Sequence, residues 1–349
     1  MSRAATTRDT INVLGGVHLE ALTDRVVVTA TDTELSIRTT APATVIEEGR
    51  AVVPARLLVD LLKKLPGGAL AIDATEASVV RLASGEGEYA VNAFPIADFP
   101  RLPMPPSSDS VCVDRASFSQ ALAQVLPIAA RDLSRPVYTG ILMSVDARKL
   151  SLVATDGYRL AVVERDVTGS GGLPPTLIPA RALAEVVHLP DEAESICLSV
   201  GENTILFEVG DYQVTARRLN GQFQPHEALI NTDFAYEAVI DRTLLAEAVA
   251  RVSVLAQRGK PITLDFQGDS VVVKVTSSDL GQASERIIME SAGPTLAVAF
   301  NPSYLADGLH LIDGHAVNVR MNDALRPIVL RGRYGDVTYL VAPIRSPTP

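Results

Sequence analysis

An interval of about 124 residues recurs along the chain and restricts its fold more than any other feature. Ala30-Thr31-Asp32 returns as Ala154-Thr155-Asp156 at an offset of 124, and the aspartate of Ser278-Asp279 lies 123 residues after Asp156. Each copy follows a run of β-branched residues, a pattern typical of a strand that ends in a polar turn. The chain is therefore predicted to repeat one unit three times.

A second marker keeps the same interval. Pro54-Ala55-Arg56 returns as Pro179-Ala180-Arg181, and Pro302 lies 123 residues after Pro179. Proline is tolerated at the first position of a helix, so each marker predicts the start of a short helix. The proline-rich stretch at 103–110 favours a linker. We expect three domains, at 1–107, 108–231 and 232–349.

Hydrophobic periodicity predicts an α+β fold that is rich in strands. The predicted strands cover 11–14, 18–21, 26–30, 35–38, 88–93, 141–145, 196–200, 204–209, 212–219, 262–266, 271–276, 285–290, 295–300, 316–321, 326–331 and 337–342. The predicted helices cover 54–65, 117–130, 180–189 and 242–256, and another begins at Pro302. Asp156-Gly157 predicts a hairpin turn between strands at 152–154 and 160–163. The leucines of helix 54–65 are expected to face the core; they are Leu57, Leu58, Leu61, Leu62 and Leu65.

Charge and cysteine content exclude several classes of protein. The chain has 31 Lys+Arg and 41 Asp+Glu, a net charge of −10, which is the wrong sign for a domain that grips phosphates by charge. Cys112 and Cys197 fit no metal or redox spacing and are expected to be two buried thiols in a reducing cytoplasm. No apolar run approaches the roughly 18 residues of a membrane span.

Catalytic motifs are absent from the sequence. The five histidines, at 18, 188, 226, 310 and 315, form no ligand pattern, and no nucleophile elbow, phosphate loop or zinc motif occurs. Asp156 is a candidate carboxylate base, but an aspartate in such a turn usually accepts hydrogen bonds from nearby backbone. We therefore expect no enzyme activity, no catalytic residue, no metal and no cofactor.

Four stretches resemble the bacterial sliding clamp family, the beta subunit of DNA polymerase III. They are FPIADFPRLP at 94–103, ATDGYRLAV at 154–162, AFNPSYLADGL at 299–309 and YLVAPIR at 339–345. The resemblance covers nearly the whole chain. It implies three repeated DNA-clamp domains, each with antiparallel sheets outside and helices facing a central hole. Two chains would join head to tail into a ring, with the strand at 88–93 and the helix at 54–65 meeting the third domain of the partner.

Such a ring encircles double-stranded DNA without sequence specificity, and a ring that holds DNA by topology tolerates a negative net charge. The resemblance further implies that the clamp loader and the polymerase III catalytic subunit are partners. The residues that would face DNA are Arg56, Lys63, Arg131, Arg135, Arg181, Arg251 and Arg258.

The resemblance also implies a hydrophobic pocket, between the second and third domains, for partner peptides in which glutamine precedes leucine and phenylalanine. Carried over residue by residue, the pocket comprises Thr155, Gly157, Tyr158, Arg159, Leu160, Leu340, Val341, Ala342, Pro343, Ile344 and Arg345. Ala342 stands where the family often has methionine, so a wider pocket is expected. The alternative for Leu160, Leu340 and Ile344 is a place in the hydrophobic core.

Two questions stay open at this point. Counting back by 124 residues puts the counterpart of helix 117–130 near positions −7 to 6, so the first domain is expected to lack or shorten its first strand and helix. The chain is then either a processivity clamp or a clamp-like accessory protein that binds peptides without closing a ring. The start, MSRAATTRDT, has no apolar signal-peptide centre, and a cytoplasmic location is expected.

Overall fold

The computed structural model describes residues 12–76, 78–102, 110–146, 148–190, 193–230, 233–256, 260–290, 294–332 and 335–344. After a 3-10 turn at Asn12–Gly15, the first third contains β1 (Gly16–Leu22), β2 (Arg25–Thr31), β3 (Leu35–Pro42), β4 (Gly49–Pro54), α1 (Ala55–Leu62), β5 (Ala71–Glu76), β6 (Val79–Ser84) and β7 (Gly87–Asn92). The expectation of a shortened start concerns residues 1–11, which lie outside the described residues.

The other two thirds repeat this order with a strand and a helix placed before it. The middle third contains β8 (Ser110–Asp114), α2 (Arg115–Val125), β9 (Gly140–Asp146), β10 (Lys149–Thr155), β11 (Arg159–Asp166), β12 (Gly169–Ser170), β13 (Leu173–Pro179), α3 (Ala180–Val187), β14 (Ser195–Val200), β15 (Thr204–Val209), β16 (Tyr212–Arg217) and α4 (Glu227–Ile230). The last third contains β17 (Tyr236–Asp241), α5 (Arg242–Ser253), β18 (Ile262–Gln267), β19 (Ser270–Ser277), β20 (Gly281–Ile288), β21 (Thr295–Phe300), α6 (Pro302–Leu311), β22 (Ala316–Met321), β23 (Ile328–Gly332) and β24 (Val337–Val341).

The α+β class and the threefold repeat are confirmed, with corrections at the level of single elements. The strand predicted at 11–14 is wrong, because the described residues there form a 3-10 turn. The helix predicted at 117–130 ends at Val125 and continues as a 3-10 turn over Leu126–Ile128, since Pro127 has no backbone N–H to donate. The sequence prediction also missed strands β4, β5, β6, β8, β12, β13 and β17.

The leucine stripe predicted for helix α1 is partly wrong. Leu58 is buried, but Leu57 and Leu62 are 51% and 41% exposed. The helix is only two turns long and packs against β1 and β4 along one narrow side. Leu57 and Leu62 therefore form an apolar surface instead of core, and Leu61 and Leu65 are partly buried.

The described chain forms two compact units, and the middle third contributes to both. The first unit comprises residues 1–116, 168–171 and 181–218, and the second comprises the remainder. The first unit contains a nine-stranded sheet, in the order β12-β8-β14-β15-β16-β3-β2-β1-β4, and the sheet β5-β6-β7. The second contains an eight-stranded sheet, β13-β9-β10-β11-β24-β23-β22-β17, and the sheet β20-β19-β18-β21. The predicted domain boundaries at 107 and 231 stay a prediction.

Both large sheets run across a junction between repeats, and they do so through equivalent strands. In the first unit β3 pairs with β16, so that Arg38 lies opposite Gln213. In the second unit β11 pairs with β24, so that Val162 lies opposite Thr338. The 124-residue offset makes β3, β11 and β20 one equivalent set and β7, β16 and β24 another. Within the described residues, β7 and β20 are the members whose equivalent pairing is not made.

The prediction of two free thiols is wrong. Cys112 on β8 and Cys197 on β14 are joined by a disulfide, with 4.0 Å between their Cα atoms. The two residues lie directly opposite each other in the antiparallel pair β8–β14. The disulfide therefore links two neighbouring strands of one sheet, and both side chains are partly buried rather than fully enclosed.

Helix α6 packs against β24 through a glycine that has no room for a side chain. A Cβ at Gly308 would lie 2.4 Å from Cδ1 of Tyr339, whose ring is fully buried. The Tyr339 hydroxyl donates a hydrogen bond to the carbonyl of Tyr304 at 2.7 Å, which fixes the ring in place. The close approach of helix and strand therefore depends on glycine at this position.

We expect Gly308→Ala to lower the free energy of unfolding by about 1–3 kcal/mol, the usual cost of overpacking a core. Chemical denaturation measures the change. Gly67→Ala is the matched control, because a Cβ at Gly67 meets nothing within 4 Å. Equal stabilities for the two variants would contradict the packing described for Tyr339.

Candidate functional site

The hairpin turn between β10 and β11 is held by the side chains of Thr155 and Asp156. The Thr155 hydroxyl donates to the carbonyl of Arg159 at 2.7 Å and accepts from the Gly157 amide at 3.0 Å. Asp156 Oδ1 accepts from the amides of Tyr158 and Arg159 at 2.9 and 3.1 Å. Gly157 has a φ of +91°, which favours glycine. Asp156 thus has the structural role that the turn sequence predicts.

The same turn occurs in the first repeat, which shows that it is a property of the repeated unit. Thr31 donates to the carbonyl of Leu35 at 3.1 Å, and Asp32 accepts from the amides of Glu34 and Leu35 at 3.1 and 2.7 Å. Thr33 takes the place of the glycine at a φ of +76°. The side chains around the turn, and not the turn itself, therefore distinguish the middle repeat.

Arg159 joins the base of the hairpin to two other segments, the 3-10 turn that contains Pro127 and helix α6. Its guanidinium donates to Asp156 Oδ2 at 2.9 Å, to the Asp307 carboxylate and to the carbonyl of Pro127 at 3.1 Å. Its Cζ lies 4.6 Å from the ring centroid of Tyr304, a cation–π distance. Burial favours the neutral guanidine, but the Tyr339 phenol and the two carboxylates outweigh burial and raise the pKa of Arg159.

Pairing of β11 with β24 brings the two halves of the predicted pocket together. Arg159 lies opposite Val341, and Leu160 lies opposite Leu340. Beyond the strand, the Ala342 amide donates to the carbonyl of Tyr158 at 2.9 Å. The described pocket residues, 155–160 and 340–344, therefore lie on adjacent chain segments. Arg345 lies outside the described residues.

An apolar cluster lies on one face of this sheet beside the turn. It contains Val153, Leu160, Val162, Ile230, Val329 and Leu340, with Leu142, Phe223 and Phe234 packed against it. Leu160 and Leu340 are 4% and 6% exposed, as the core alternative for these residues requires. Ile344 and Tyr158, which belong to the predicted pocket but not to this cluster, are 36% and 56% exposed.

Several members of this cluster were not predicted from sequence. Ile230 and Phe223 lie on the segment that follows β16, and Val329 lies on β23, next to Leu340. The alternation of residues on β23 and β24 would have pointed to Val329, because every second residue of a strand faces the same side. No comparable periodicity marks the segment that carries Phe223.

Of the cations predicted to face DNA, those that the structure describes are exposed, but they differ in their surroundings. Arg181 lies 2.5 Å from Asp32 Oδ2, and Arg251 lies 2.8 Å from Glu285 and 3.3 Å from Glu247. The guanidinium of Arg135 lies beside the pocket turn, since a Cβ at Gly157 would be 3.0 Å from its Nη1. Arg258 lies outside the described residues.

Arg56, Lys63 and Arg131 are exposed and form no ion pair with any residue that the structure describes. Over the same residues, no group of three His, Cys, Asp or Glu side chains is arranged to hold a metal ion. No described helix has the length and apolar character of a membrane span.

Comparison with known proteins identifies the family. Three family models of the DNA polymerase III beta subunit match successive segments of the chain. The model of the N-terminal domain matches residues 1–103, that of the central domain matches 112–225, and that of the C-terminal domain matches 227–345. The beta sliding clamps of Synechocystis sp. and Streptomyces coelicolor are 32% and 30% identical, each match covering 99% of this chain and 95% of the relative.

Solved structures agree with the sequence comparison. The DNA polymerase sliding clamp from Bacillus subtilis superimposes with a TM-score of 0.92 at 25% identity, over 99% of this chain and 95% of that chain. A DnaN sliding clamp from Bartonella birtlesii bound to griselimycin gives 0.90, with the same identity and coverage. The chain therefore belongs to the family of bacterial beta sliding clamps, the beta subunits of DNA polymerase III.

Proposed function

We propose that the chain is a DNA sliding clamp, a processivity factor that encircles duplex DNA and tethers the replicative polymerase and other partners. The observation that carries the proposal is that equivalent strands pair at both junctions between successive repeats: β3 pairs with β16, and β11 pairs with β24. Two of the three equivalent pairings are made within one chain, and the third requires a second copy. A head-to-tail homodimer supplies it twice and closes six repeats into a ring.

The two strands whose equivalent pairing is not made within the described chain, β7 and β20, support the interface predicted from sequence. Edge strand β7 covers most of the predicted strand at 88–93, and β20 is an edge strand of the four-stranded sheet in the third repeat. Exposed apolar side chains accompany both edges: Leu57, Leu62, Ile72 and Tyr89 in the first repeat, and Leu280 and Ile288 in the third. Unpaired strand edges flanked by apolar surface favour association with another chain.

A ring also accounts for a net charge of −10 in a protein that works on DNA. Encirclement needs only weak contacts with phosphates. Because the contacts are few, the affinity for DNA should fall only slightly as the salt concentration rises. Arg56, Lys63 and Arg131 are the strongest candidates for these contacts, because Arg181 and Arg251 already pair with carboxylates. The proposed compartment is the cytoplasm, where bacterial DNA is replicated.

The apolar cluster beside the β10–β11 turn is the proposed docking site for partner peptides. The polymerase III catalytic subunit and the clamp loader are the proposed partners. Burying two large apolar side chains of a peptide would contribute roughly 3–6 kcal/mol before ordering costs. The resulting affinity is in the micromolar range, which suits partners that must exchange. Asp156, whose oxygens are used within the turn, is not available as a catalytic base.

We expect the protein, once loaded by a clamp loader, to remain on closed circular DNA and to be lost when the circle is cut. Gel filtration of protein–DNA mixtures before and after a single restriction cut measures retention. Light scattering on the free protein should give twice the chain mass of 37.1 kDa. Equal retention on both DNA forms, or a monomer at micromolar concentration, would favour the accessory peptide-binding protein instead.

We expect Ile344→Asp to weaken binding of a glutamine-leucine-phenylalanine peptide at least tenfold while leaving the dimer intact. The side chain of Ile344 is accessible, so the charge enters the proposed pocket without entering the core. This makes it a cleaner test than a charge at Leu160, which is buried. Fluorescence anisotropy measures binding. Ile46→Asp, at a fully exposed position in the first repeat, is the control. Unchanged binding by Ile344→Asp would place the pocket elsewhere.

A further inference from the structure

The disulfide-linked strand pair β8–β14 has a counterpart in the third repeat that contains no cysteine. β8 and β17 each lead directly into the first helix of their repeat, and β8 pairs with β14 as β17 pairs with β22. Cys112 and Val239 both lie two residues before the aspartate that ends the strand. Register places Cys112 opposite Cys197 and, at the matching position, Val239 opposite Asn318. The repeated unit therefore forms this strand pair with or without a covalent bond.

Backbone pairing and burial hold β8 against β14 independently of the sulfur atoms. The two strands stay in unbroken register over the whole of β8, Ser110–Asp114. Val113 and Ile196, which face the side opposite to the cysteines, are 1% and 0% exposed. We therefore expect the strand pair to survive reduction of the disulfide, as its counterpart in the third repeat exists without one.

The two cysteines are also placed for reversible chemistry. They are the only cysteines in the sequence, so neither has another partner within the chain. Their Cα atoms are 4.0 Å apart, and both residues are only partly buried, so the disulfide lies on the less buried face of these strands. In the cytoplasm a pool of small thiols keeps most cysteines reduced, and the disulfides that do form there are usually transient or redox-sensing.

We propose that Cys112 and Cys197 form a reversible redox site, a dithiol in the reducing cytoplasm and a disulfide when small-molecule disulfides accumulate; this rests on the cytoplasmic location included in the proposed function. In oxidation, one cysteine thiolate attacks a small-molecule disulfide such as oxidised glutathione, whose S–S bond breaks to give a mixed disulfide and one small thiol. The second cysteine thiolate attacks the protein sulfur of the mixed disulfide and releases the second small thiol. The cysteines lose two electrons and two protons, which the small disulfide gains as two thiols.

The redox state of this pair affects the first unit of the structure. β8 is the last strand of that unit before the chain enters the second unit at Ser117. Its other neighbour in the sheet, β12, has only two residues and pairs with it through Gly169 and Ser170. Most of the pairing that holds β8 is therefore with β14, and the disulfide reinforces this pairing under oxidising conditions. The proposed peptide pocket lies in the second unit and should not respond.

The redox test equilibrates the full-length protein, without denaturant, in buffers with different ratios of reduced to oxidised glutathione. Free thiols are then blocked with a maleimide, and mass spectrometry counts the labels on each chain. We expect a change from no label to two labels as the ratio rises, reached from either starting state. A protein that stays oxidised in reduced glutathione alone, or that binds glutathione without closing the disulfide, would overturn the proposal.

Reduction should also lower the midpoint of thermal unfolding by about 5–10 °C, because the link across 85 residues of chain is lost. Amide hydrogen exchange should become faster in β8 and stay unchanged in β17, the equivalent strand without a cysteine. Affinity for the glutamine-leucine-phenylalanine peptide should stay within twofold. Equal exchange rates in β8 for both redox states would overturn the role assigned to the disulfide.

The matched variant is Cys112→Val/Cys197→Asn, which copies the cross-strand pair of the third repeat. It should unfold at the midpoint of the reduced wild type in every buffer. An equal response of variant and wild type to glutathione would overturn the proposal, because the response would not come from these cysteines. If the variant fails to fold, labelling and hydrogen exchange of the wild type decide the question.

The outcomes separate the redox site from the ring and the pocket. Loss of retention on circular DNA, or failure to bind the peptide, would overturn the proposed function while the glutathione titration still gives its result on the free protein. A disulfide that resists glutathione would overturn the redox site and leave the ring and the pocket standing.

Discussion

Backbone pairing between equivalent strands is the constraint on which the rest of the structure depends. A β-strand leaves one row of N–H and C=O groups for a neighbour on each side, and an edge without a neighbour is prone to pair with another chain. At two junctions the chain meets this need internally, β3 with β16 and β11 with β24. Because the repeat places the third pair, β7 and β20, on free edges, the protein is built to complete its sheets with a second copy.

The same pairing creates the candidate site. Joining β11 to β24 sets the turn around Asp156 beside the segment 340–344, and it aligns Leu160, Leu340 and Val329 into one apolar strip. Neither repeat could form this strip alone, because its residues come from strands in the second and third repeats. The hydrogen bonds of Thr155 and Asp156 then hold the turn in the conformation that this arrangement requires.

Sequence reasoning succeeded where one segment carries its own signal. The Thr155-Asp156-Gly157 turn uses residue types whose side chains and φ preference specify it locally, and the 124-residue interval fixed how often the unit recurs. It failed where distant segments meet. The Cys112–Cys197 disulfide depends on β8 lying beside β14, and an 85-residue separation contains no sign of that. Leu57 and Leu62 fit the apolar periodicity of a helix, but α1 packs against β1 and β4 along one narrow side only, so these two side chains stay exposed. Ile230 joins the cluster only because α4 packs against residues of the sheet, which no local pattern reveals.

The register of the two internal junctions specifies the contact between chains. Gln213 lies opposite Arg38 and Thr338 lies opposite Val162, and the equivalent residues at the open junction are Glu88 on β7 and Ser284 on β20, which lies opposite Lys274 as Val162 lies opposite Val153. The most direct measurement is disulfide cross-linking of Glu88→Cys/Ser284→Cys in a chain whose native cysteines are replaced by serine. The pairing predicts covalent dimers with both cross-links formed, and far fewer for the register-shifted pair Glu88→Cys/Ala283→Cys. Equal cross-linking of the two pairs, or a monomer of 37.1 kDa under oxidising conditions, would contradict closure through these strands.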